Sequence, residues 1–281
     1  TLGVDGGYTQ EDVVVLARIL TGWGLGRPRG RDMNQGGFYF DSKRHDSSDK
    51  VFLGQTIHGA GIAEGETALD ILARHPATAR HIGFKLAQYF VADDPPSTLV
   101  TRLSQRFLAT DGDIRAVLDT LFHSPEFWDR KYYGNKFKTP YQYLVSAVRA
   151  ADIKVTNVRP LYGMLMQLGM PLYGCLTPDG YKNTRGAWLN PDAMTRRIGF
   201  ATALASGRLP LAQPIAESGF MHNKMDSMKR DMAPAGEPSN AVALVKTLDN
   251  RVAPETRAAM ESAPKPLRAA LILGSPEFMQ H

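Results

Sequence analysis

Residues 75–96, HPATARHIGFKLAQYFVADDPP, constrain the fold more than any other part of the sequence. Pro76 suits a first helical position, because its φ is fixed at a helical value and it has no N–H to leave unpaired. Ile82, Leu86 and Phe90 then recur every four residues, with Ala79 and Gly83 on or near the same stripe, which predicts that one helical face is buried. The two consecutive prolines at the end of the stretch stop the helix.

Similar apolar periodicity recurs along the chain and predicts a mainly α, multi-helix globular domain over residues 1–281. Residues 38–41 and 50–53 resemble short strands on either side of a polar segment, which predicts one β-hairpin near residues 38–54. Residues 206–238 are rich in proline and glycine, so we expect a surface loop there.

Composition excludes several classes of protein. The chain carries 33 Lys and Arg against 28 Asp and Glu, a net charge of +5, without a basic run interleaved with aromatics, so nucleic-acid binding is not indicated. No run of about 18 apolar residues is present, so no membrane span is predicted. The single cysteine, Cys175, cannot form an internal disulfide or a cysteine-based zinc site. We predict no metal and no cofactor.

Several blocks of sequence, taken together, resemble the domain of unknown function 1800 family. The blocks are LGVDGGYTQEDV with LTGW (2–23), the F-x-F, HD and LG pattern of 38–54, HPATARHI with KLAQYFVADDPP (75–96), DGDIRAVLDTLFHSPEF (111–127), KFKTPYQYLVSAVRA (136–150), LGMPLYGCLTPDGY (168–181) and WLNPDAMTRRIGFA (188–201). The resemblance implies a bacterial, usually exported protein, located outside the cytoplasm in the periplasm or secreted. It also implies a sulfatase-like exported partner, but no agreed reaction and no accepted catalytic residues.

The start of the chain departs from the family pattern. Family members usually carry a further helical half upstream of the LGVDGGYT block, whereas this sequence begins at Thr1. The resemblance therefore implies that the chain corresponds to the C-terminal two-thirds of the family domain. It also implies an upstream chain, or the N-terminal half of the same protein, as a partner.

The densest polar cluster of the sequence lies between the two predicted strands. His45 and Asp46 are the candidate catalytic residues there, because a histidine transfers protons near neutral pH and a carboxylate can fix its tautomer. Successive residues of a strand point to opposite faces, so the alternative is an ordinary hydrogen-bonded turn.

Candidate substrate-binding residues come from other parts of the chain. His81 and Lys85 lie four residues apart on one helical face, and two cations so placed favour an anion between them. The loop and helix of residues 171–205 offer flat aromatic rings for a sugar and arginines for anionic groups. Each of these residues also has an ordinary structural interpretation. The full candidate set is Lys85, Asp179, Tyr181, Trp188, Arg196 and Arg197.

Two hypotheses for function follow. The first is an enzyme of hydrolase or lyase type that acts on a polysaccharide, in particular an anionic glycan, through His45 and Asp46. The second is a non-catalytic scaffold or binding protein that docks on the sulfatase-like exported partner. The enzyme hypothesis predicts that His45 and the aromatic and arginine residues line one concave surface. An exposed apolar patch would favour the second hypothesis.

Overall fold

The computed structural model describes residues 2–26, 37–212, 238–248 and 252–281. The chain divides into two compact units, Thr1–Trp128 and Asp129–His281. That division does not test the single domain predicted over residues 1–281, which stays a prediction. The predicted surface loop at 206–238 falls mostly on residues 213–237, outside the described part of the chain.

Helices dominate both units, which confirms the mainly α prediction. The first unit holds six α-helices among its described residues: α1 (Gln10–Ile19), α2 (Ile62–Arg74), α3 (Pro76–Phe90), α4 (Ser97–Ala109), α5 (Ile114–Phe122) and α6 (Pro125–Trp128). It also holds four three-residue strands: β1 (Trp23–Leu25), β2 (Phe38–Phe40), β3 (Lys50–Phe52) and β4 (Gln55–Ile57).

The strand pairing differs from the predicted hairpin. Strand β2 pairs antiparallel with β1, with Trp23 opposite Phe40, and β3 pairs antiparallel with β4 across a tight turn at Leu53 and Gly54. Gly54 has φ +76°, and even Leu53 has φ +48°, so the turn needs left-handed backbone. The prediction of one hairpin joining 38–41 to 50–53 is therefore wrong. The strands are close to where the sequence places them, but each pairs with a different neighbour.

Helix α1 begins with a capping box and buries one edge of its apolar face. The Thr9 side chain accepts the N–H of Asp12, and the Asp12 carboxylate accepts the N–H of Thr9 at 2.8 Å, which forms a capping box. The buried positions are Val15 and Ile19, whereas Val13, which the sequence pattern also places on an apolar face, is 45% exposed.

Helix α3 starts as predicted, and the small residues on its predicted face are the most deeply buried. The His75 ring accepts the N–H of Ala77 at 3.1 Å, and Pro76 occupies the first turn. The buried face is lined by small residues, including Ala79, Gly83 and Ala87, whereas Phe90 is 38% exposed. The predicted face therefore packs most closely through Ala79 and Gly83, and its larger members Ile82, Leu86 and Phe90 are less buried.

The second unit holds seven α-helices among its described residues. Its helices are α7 (Pro140–Ala150), α8 (Arg159–Gln167), α9 (Arg185–Trp188), α10 (Pro191–Ala205), α11 (Ala241–Thr247), α12 (Pro254–Ser262) and α13 (Lys265–Leu273). Tyr143 of α7 is fully buried, and its hydroxyl lies 3.0 Å from the carbonyl of Arg197 on α10 and 3.1 Å from that of Leu273 on α13. This residue ties three helices to one core.

A short extended segment closes the second unit. Residues 136–138 run antiparallel to residues 279–281, with the N–H of Lys138 donating to the carbonyl of Met279 at 2.8 Å and Phe137 opposite Gln280. This pairing sets Lys136 opposite His281 and Lys138 opposite Met279, just before α7.

Candidate functional site

The predicted catalytic histidine lies in a buried polar cluster of the first unit. A single 3-10 turn, Ser42–Arg44, precedes His45 and directs its ring inward. The ring nitrogen Nδ1 lies 2.9 Å from the carbonyl oxygen of Thr21, and Nε2 lies 2.8 Å from Oε1 of Glu64. The second oxygen of Glu64 accepts a hydrogen bond from the Lys50 ammonium at 2.7 Å.

The cluster favours a positively charged histidine. A carbonyl oxygen and a carboxylate only accept hydrogen bonds, so both ring nitrogens of His45 donate, as in an imidazolium. The hydrogen bond to Glu64 raises the pKa of His45 above its usual value, against burial, and the Thr21 carbonyl adds to the rise. Glu64 therefore neutralises two buried cations, His45 and Lys50.

Glu64 is the centre of this cluster and also caps helix α2. Burial on its own would raise the pKa of Glu64, but hydrogen bonds from Lys50, His45 and the N–H of Ala60 outweigh burial and bring the pKa to about 2. Its Oε1 also accepts the N–H of Gly61, the N-terminal cap of α2. One carboxylate thus joins the start of a helix to strand β3 and to the turn that carries His45.

Asp46 lies at the edge of this cluster, with its Oδ1 4.0 Å from the Lys50 ammonium, and does not contact the His45 ring. Its carboxylate accepts hydrogen bonds from the Ser48 hydroxyl at 2.7 Å and from the Arg18 guanidinium at 2.8 Å. These two groups, Ser48 first, hold the pKa of Asp46 far below its usual range. The side chain is 32% exposed and permanently ionised at neutral pH.

Accessibility sets what this cluster can do chemically. The side chains of His45, Glu64 and Lys50 are at most 1% exposed, so no ring nitrogen of His45 faces solvent. Asp46 does not hydrogen-bond to the ring and therefore does not fix its tautomer. The observed arrangement is an ionic brace between α2, β3 and the 42–45 turn; the catalytic roles of His45 and Asp46 stay predictions.

We expect the stability of the first unit to fall as the pH rises through the folded-state pKa of His45. This pKa is raised above the ordinary value of 6.5, so the contribution of the imidazolium is complete below pH 6.5 and is lost above the raised value. Thermal unfolding midpoints over about pH 5 to 9 measure the effect. The difference between wild type and His45→Gln isolates the histidine; a constant difference over that range would contradict a raised pKa.

Lys85 completes the candidate residues of the first unit. It lies on α3, partly buried, one turn after His81. Burial lowers the pKa of His81, and the charge of Lys85 lowers it further, so His81 is held neutral beside that cation. The predicted anion-binding site between two cations therefore has one permanent positive charge, that of Lys85.

The predicted aromatic platform holds a loop of the second unit together. The Tyr181 hydroxyl donates to the carbonyl of Pro171 at 2.8 Å, and the Trp188 indole N–H donates to the carbonyl of Lys182 at 2.7 Å. Trp188 is 9% exposed, so its ring faces are largely covered by protein. Asp179 forms an exposed ion pair with Lys182.

Loop 171–181 carries an exposed apolar tip, which is formed by Leu172, Tyr173 and Leu176. Tyr173 and Leu176 are fully exposed, and Leu172 is 40% exposed. Tyr173 has φ +57°, a left-handed conformation that costs a non-glycine residue about 1–2 kcal/mol. The turn is closed by the N–H of Gly174, which donates to the carbonyl of Pro171 at 3.1 Å.

The two predicted arginines have opposite environments. Arg196 is exposed and pairs with Asp192 one turn earlier at 2.8 Å, as ordinary helix pairs do. Arg197 is fully buried between the rings of Phe137 and Tyr143, 4.5 and 4.9 Å from its guanidinium carbon. Its Nη2 donates to the carbonyl of Lys138 at 2.8 Å, and its Nε and Nη1 have no partner among the described residues.

The candidate residues divide between the two units. His45, Asp46 and Lys85 belong to the first, and the other five belong to the second. Their predicted meeting on one concave surface stays a prediction. Sequence reasoning missed Glu64, although its position three residues after Gly61 marks it as a helix-capping carboxylate. It also missed Lys138. The available indication was its position just before an apolar helix.

Two kinds of feature are absent from the described part of the chain. No group of three or more histidine, cysteine, aspartate and glutamate side chains is arranged there to hold a metal ion. Within the same residues, none of the helices combines the length and the apolar character that crossing a bilayer requires.

Comparison with protein families matches residues 1–280 to the family described as Protein of unknown function (DUF1800). The predicted resemblance is thereby confirmed. The narrower statement, that the chain corresponds to the C-terminal two-thirds of the family domain, is slightly off because the match runs over essentially the whole chain. Neither the curated proteins nor the solved structures gave a match.

Proposed function

We propose, for a chain that belongs to the DUF1800 family of proteins of unknown function, a non-catalytic role as an exported binding protein that docks on another exported protein. The observation that carries this proposal is the apolar tip of loop 171–181. Tyr173 and Leu176 place complete apolar side chains in water, at 106% and 99% exposure. A soluble protein gains nothing from this arrangement on its own.

The base of the loop supports the proposal because it is fixed. Tyr181 and Trp188 each donate a hydrogen bond to the backbone of the loop or its flank, and Trp188 is packed in the core of the unit. A tip presented from a fixed base loses little conformational freedom on binding, so more of the apolar burial contributes to affinity. Tyrosine is also among the residues that most often dominate interface energies.

Such a tip fits a partner protein that has an apolar pocket on its surface. The resemblance names a sulfatase-like exported protein, and we propose that protein as the partner, with both located in the periplasm or secreted. The tip would enter a pocket of the partner, with the paired Asp179 and Lys182 at the polar rim.

The polysaccharide enzyme of hydrolase or lyase type is the alternative. It needs His45 to exchange a proton with a substrate atom within hydrogen-bonding reach. The His45 side chain is 1% exposed and both nitrogens are engaged, so the brace would have to open before that step. Its proposed ligand is an anionic glycan, and the experiment described next tests this alternative as well.

The test measures binding of the purified sulfatase-like partner to the wild-type chain and to loop variants by biolayer interferometry. We expect Tyr173→Ser and Leu176→Ser each to weaken binding by about tenfold or more, since each removes a largely buried contact worth roughly 1.5–3 kcal/mol. Tyr162→Ser is the matched control, because Tyr162 is an exposed tyrosine of the same unit on helix α8.

Equal affinity of the wild type and the Tyr173→Ser, Leu176→Ser double variant would contradict the docking proposal, as would the absence of any binding. A parallel incubation with a uronic-acid polysaccharide measures new reducing ends and unsaturated products. Turnover that His45→Gln abolishes, without a change in folding, would establish the enzyme alternative instead.

A further inference from the structure

A groove of about 480 Å³ lies along the first helix of the second unit, away from the residues that the docking proposal uses. Helix α7 forms one wall, and the pairing of residues 136–138 with 279–281 brings Lys138 and His281 to its end. A groove of this volume suits a small organic ligand. The lining residues that matter here are Lys138, Tyr141, Gln142, Val145, Arg149 and His281.

Among the described residues that line the groove, Lys138 and Arg149 carry positive charge and none is an aspartate or glutamate. Among the described residues, no aspartate or glutamate forms a salt bridge with Lys138 or Arg149. The Lys138 ammonium donates to the carbonyl of Phe278 and lies 4.1 Å from the centre of that ring, and one of its three donors is thus engaged by the described residues. Glu277 lines the adjoining groove, and its Oε1 accepts the N–H of Ala253.

A second cation lies beneath the backbone of the groove. Arg197 is fully buried, donates one hydrogen bond to the carbonyl of Lys138, and keeps two N–H groups without a partner among the described residues. Contacts with the rings of Phe137 and Tyr143 compensate part of its charge. Burying an arginine without a counter-ion is costly, and structures rarely retain one without a compensating negative group nearby.

The titration of the neighbouring groups agrees with an excess of positive charge. Burial lowers the pKa of Lys138 to about 8, and the charge of Arg197 lowers it further in the same direction. Burial also lowers the pKa of His281, followed by the charges of Lys138 and Lys136. Each of these pKa values would rise if an anion occupied the groove.

We propose that this groove binds an oxyanion group, a sulfate, phosphate or carboxylate, carried by a small ligand. Lys138 and Arg149 would donate to the oxyanion, Arg197 would add a fixed positive charge from below, and Tyr141 with Val145 would contact the apolar part of the ligand. The exposed guanidinium of Arg149 can bind two oxygens at once, whereas Lys138 acts as a point charge. The proposal does not depend on the docking loop, because the two sites share no residue.

The experiment titrates the full chain with sodium sulfate at constant ionic strength, with sodium chloride as the reference salt. Heteronuclear NMR follows the Lys138 side chain, and calorimetry gives the affinity. We expect saturable binding at roughly millimolar sulfate, with the pKa of Lys138 moving up from about 8 on saturation. Sodium glucuronate and glucose form a second pair of probes, which shows whether a saccharide carrying the charge binds better than the free ion.

Variants locate the site. Lys138→Met and Arg149→Gln should each weaken sulfate or glucuronate binding by about tenfold or more, because each removes a hydrogen bond to a charged group. Lys154→Gln is the matched control: it removes one exposed positive charge of the same unit, outside the groove, and should leave the affinity unchanged. Should Lys138→Met fail to fold, the exposed Arg149→Gln decides the question on its own.

No saturable binding of either anion, or equal affinity in Arg149→Gln and Lys154→Gln, would overturn the proposal. Binding of sulfate alone supports a small inorganic oxyanion as the ligand, and tighter binding of glucuronate than of glucose supports a charged saccharide. Either result leaves the docking proposal to be judged by the Tyr173 and Leu176 variants.

Discussion

Glu64→Gln is expected to lower the free energy of unfolding of the first unit by about 3–5 kcal/mol, as removal of one partner from a buried ion pair does. The substitution keeps the size of the side chain and removes its charge. His45 then remains buried at 1% side-chain exposure without its carboxylate, and Lys50, at 0%, keeps only the Asp46 carboxylate at 4.0 Å. The amide can still accept one hydrogen bond, so the loss is mainly that of charge.

Glu66→Gln is the matched control for this prediction. Glu66 lies two residues further along helix α2 and is exposed, so the same chemical change there should alter the unfolding free energy by no more than about 0.5 kcal/mol. Denaturant titrations followed by circular dichroism measure both variants. If Glu64→Gln unfolds at the same denaturant concentration as Glu66→Gln, the His45–Glu64–Lys50 brace does not stabilise the first unit.

The sequence predicts that His45 matters but not what it does. A histidine beside an aspartate in a polar turn is consistent with either catalysis or structure, and local pattern cannot choose between them. The deciding partner, Glu64, lies 19 residues away and reaches His45 only because the start of helix α2 packs behind the turn. Contacts between distant segments depend on tertiary packing, which the pattern of one segment does not contain.

The strands show the same limit. Alternation and β-branched or aromatic residues locate strands near 38–40 and 50–52 correctly, because those preferences are local. Pairing is not local: Phe38–Phe40 pairs with Trp23–Leu25, a segment that follows a helix and contains a glycine, and neither feature marks a strand. The helix caps of Thr9 and His75, in contrast, involve residues within three positions and were predictable from sequence.

Helix α3 shows which members of its predicted face pack most closely. A stripe of isoleucine, leucine and phenylalanine offers the most area to bury, but Ala79, Gly83 and Ala87 allow helix α4 to approach much more closely. A hypothetical Cβ at Gly83 would lie 3.2 Å from the Leu103 Cβ and 3.2 Å from the carbonyl oxygen of Val100. The close approach of two backbones therefore depends on the absence of a side chain there.

Gly83→Leu should accordingly destabilise the first unit by about 1–3 kcal/mol or more, the range for overpacking a close-packed site. The neighbouring atoms include the backbone oxygen of Val100 and the backbone nitrogen of Ser104, 3.3 Å from the hypothetical Cβ, so no flexible side chain can move aside. The new side chain must push α3 away from α4, which also opens contacts around the fully buried Leu103.

Gly199→Leu separates this packing effect from the effect of removing a helical glycine. Gly199 is exposed in helix α10, and a Cβ there meets no atom within 4 Å, so leucine should be neutral or stabilising by up to about 1 kcal/mol through helix propensity. We therefore expect the thermal midpoint to fall in Gly83→Leu and to stay the same or rise in Gly199→Leu. A Gly83→Leu protein that melts at or above the wild-type temperature would mean that α3 and α4 do not meet closely at this glycine.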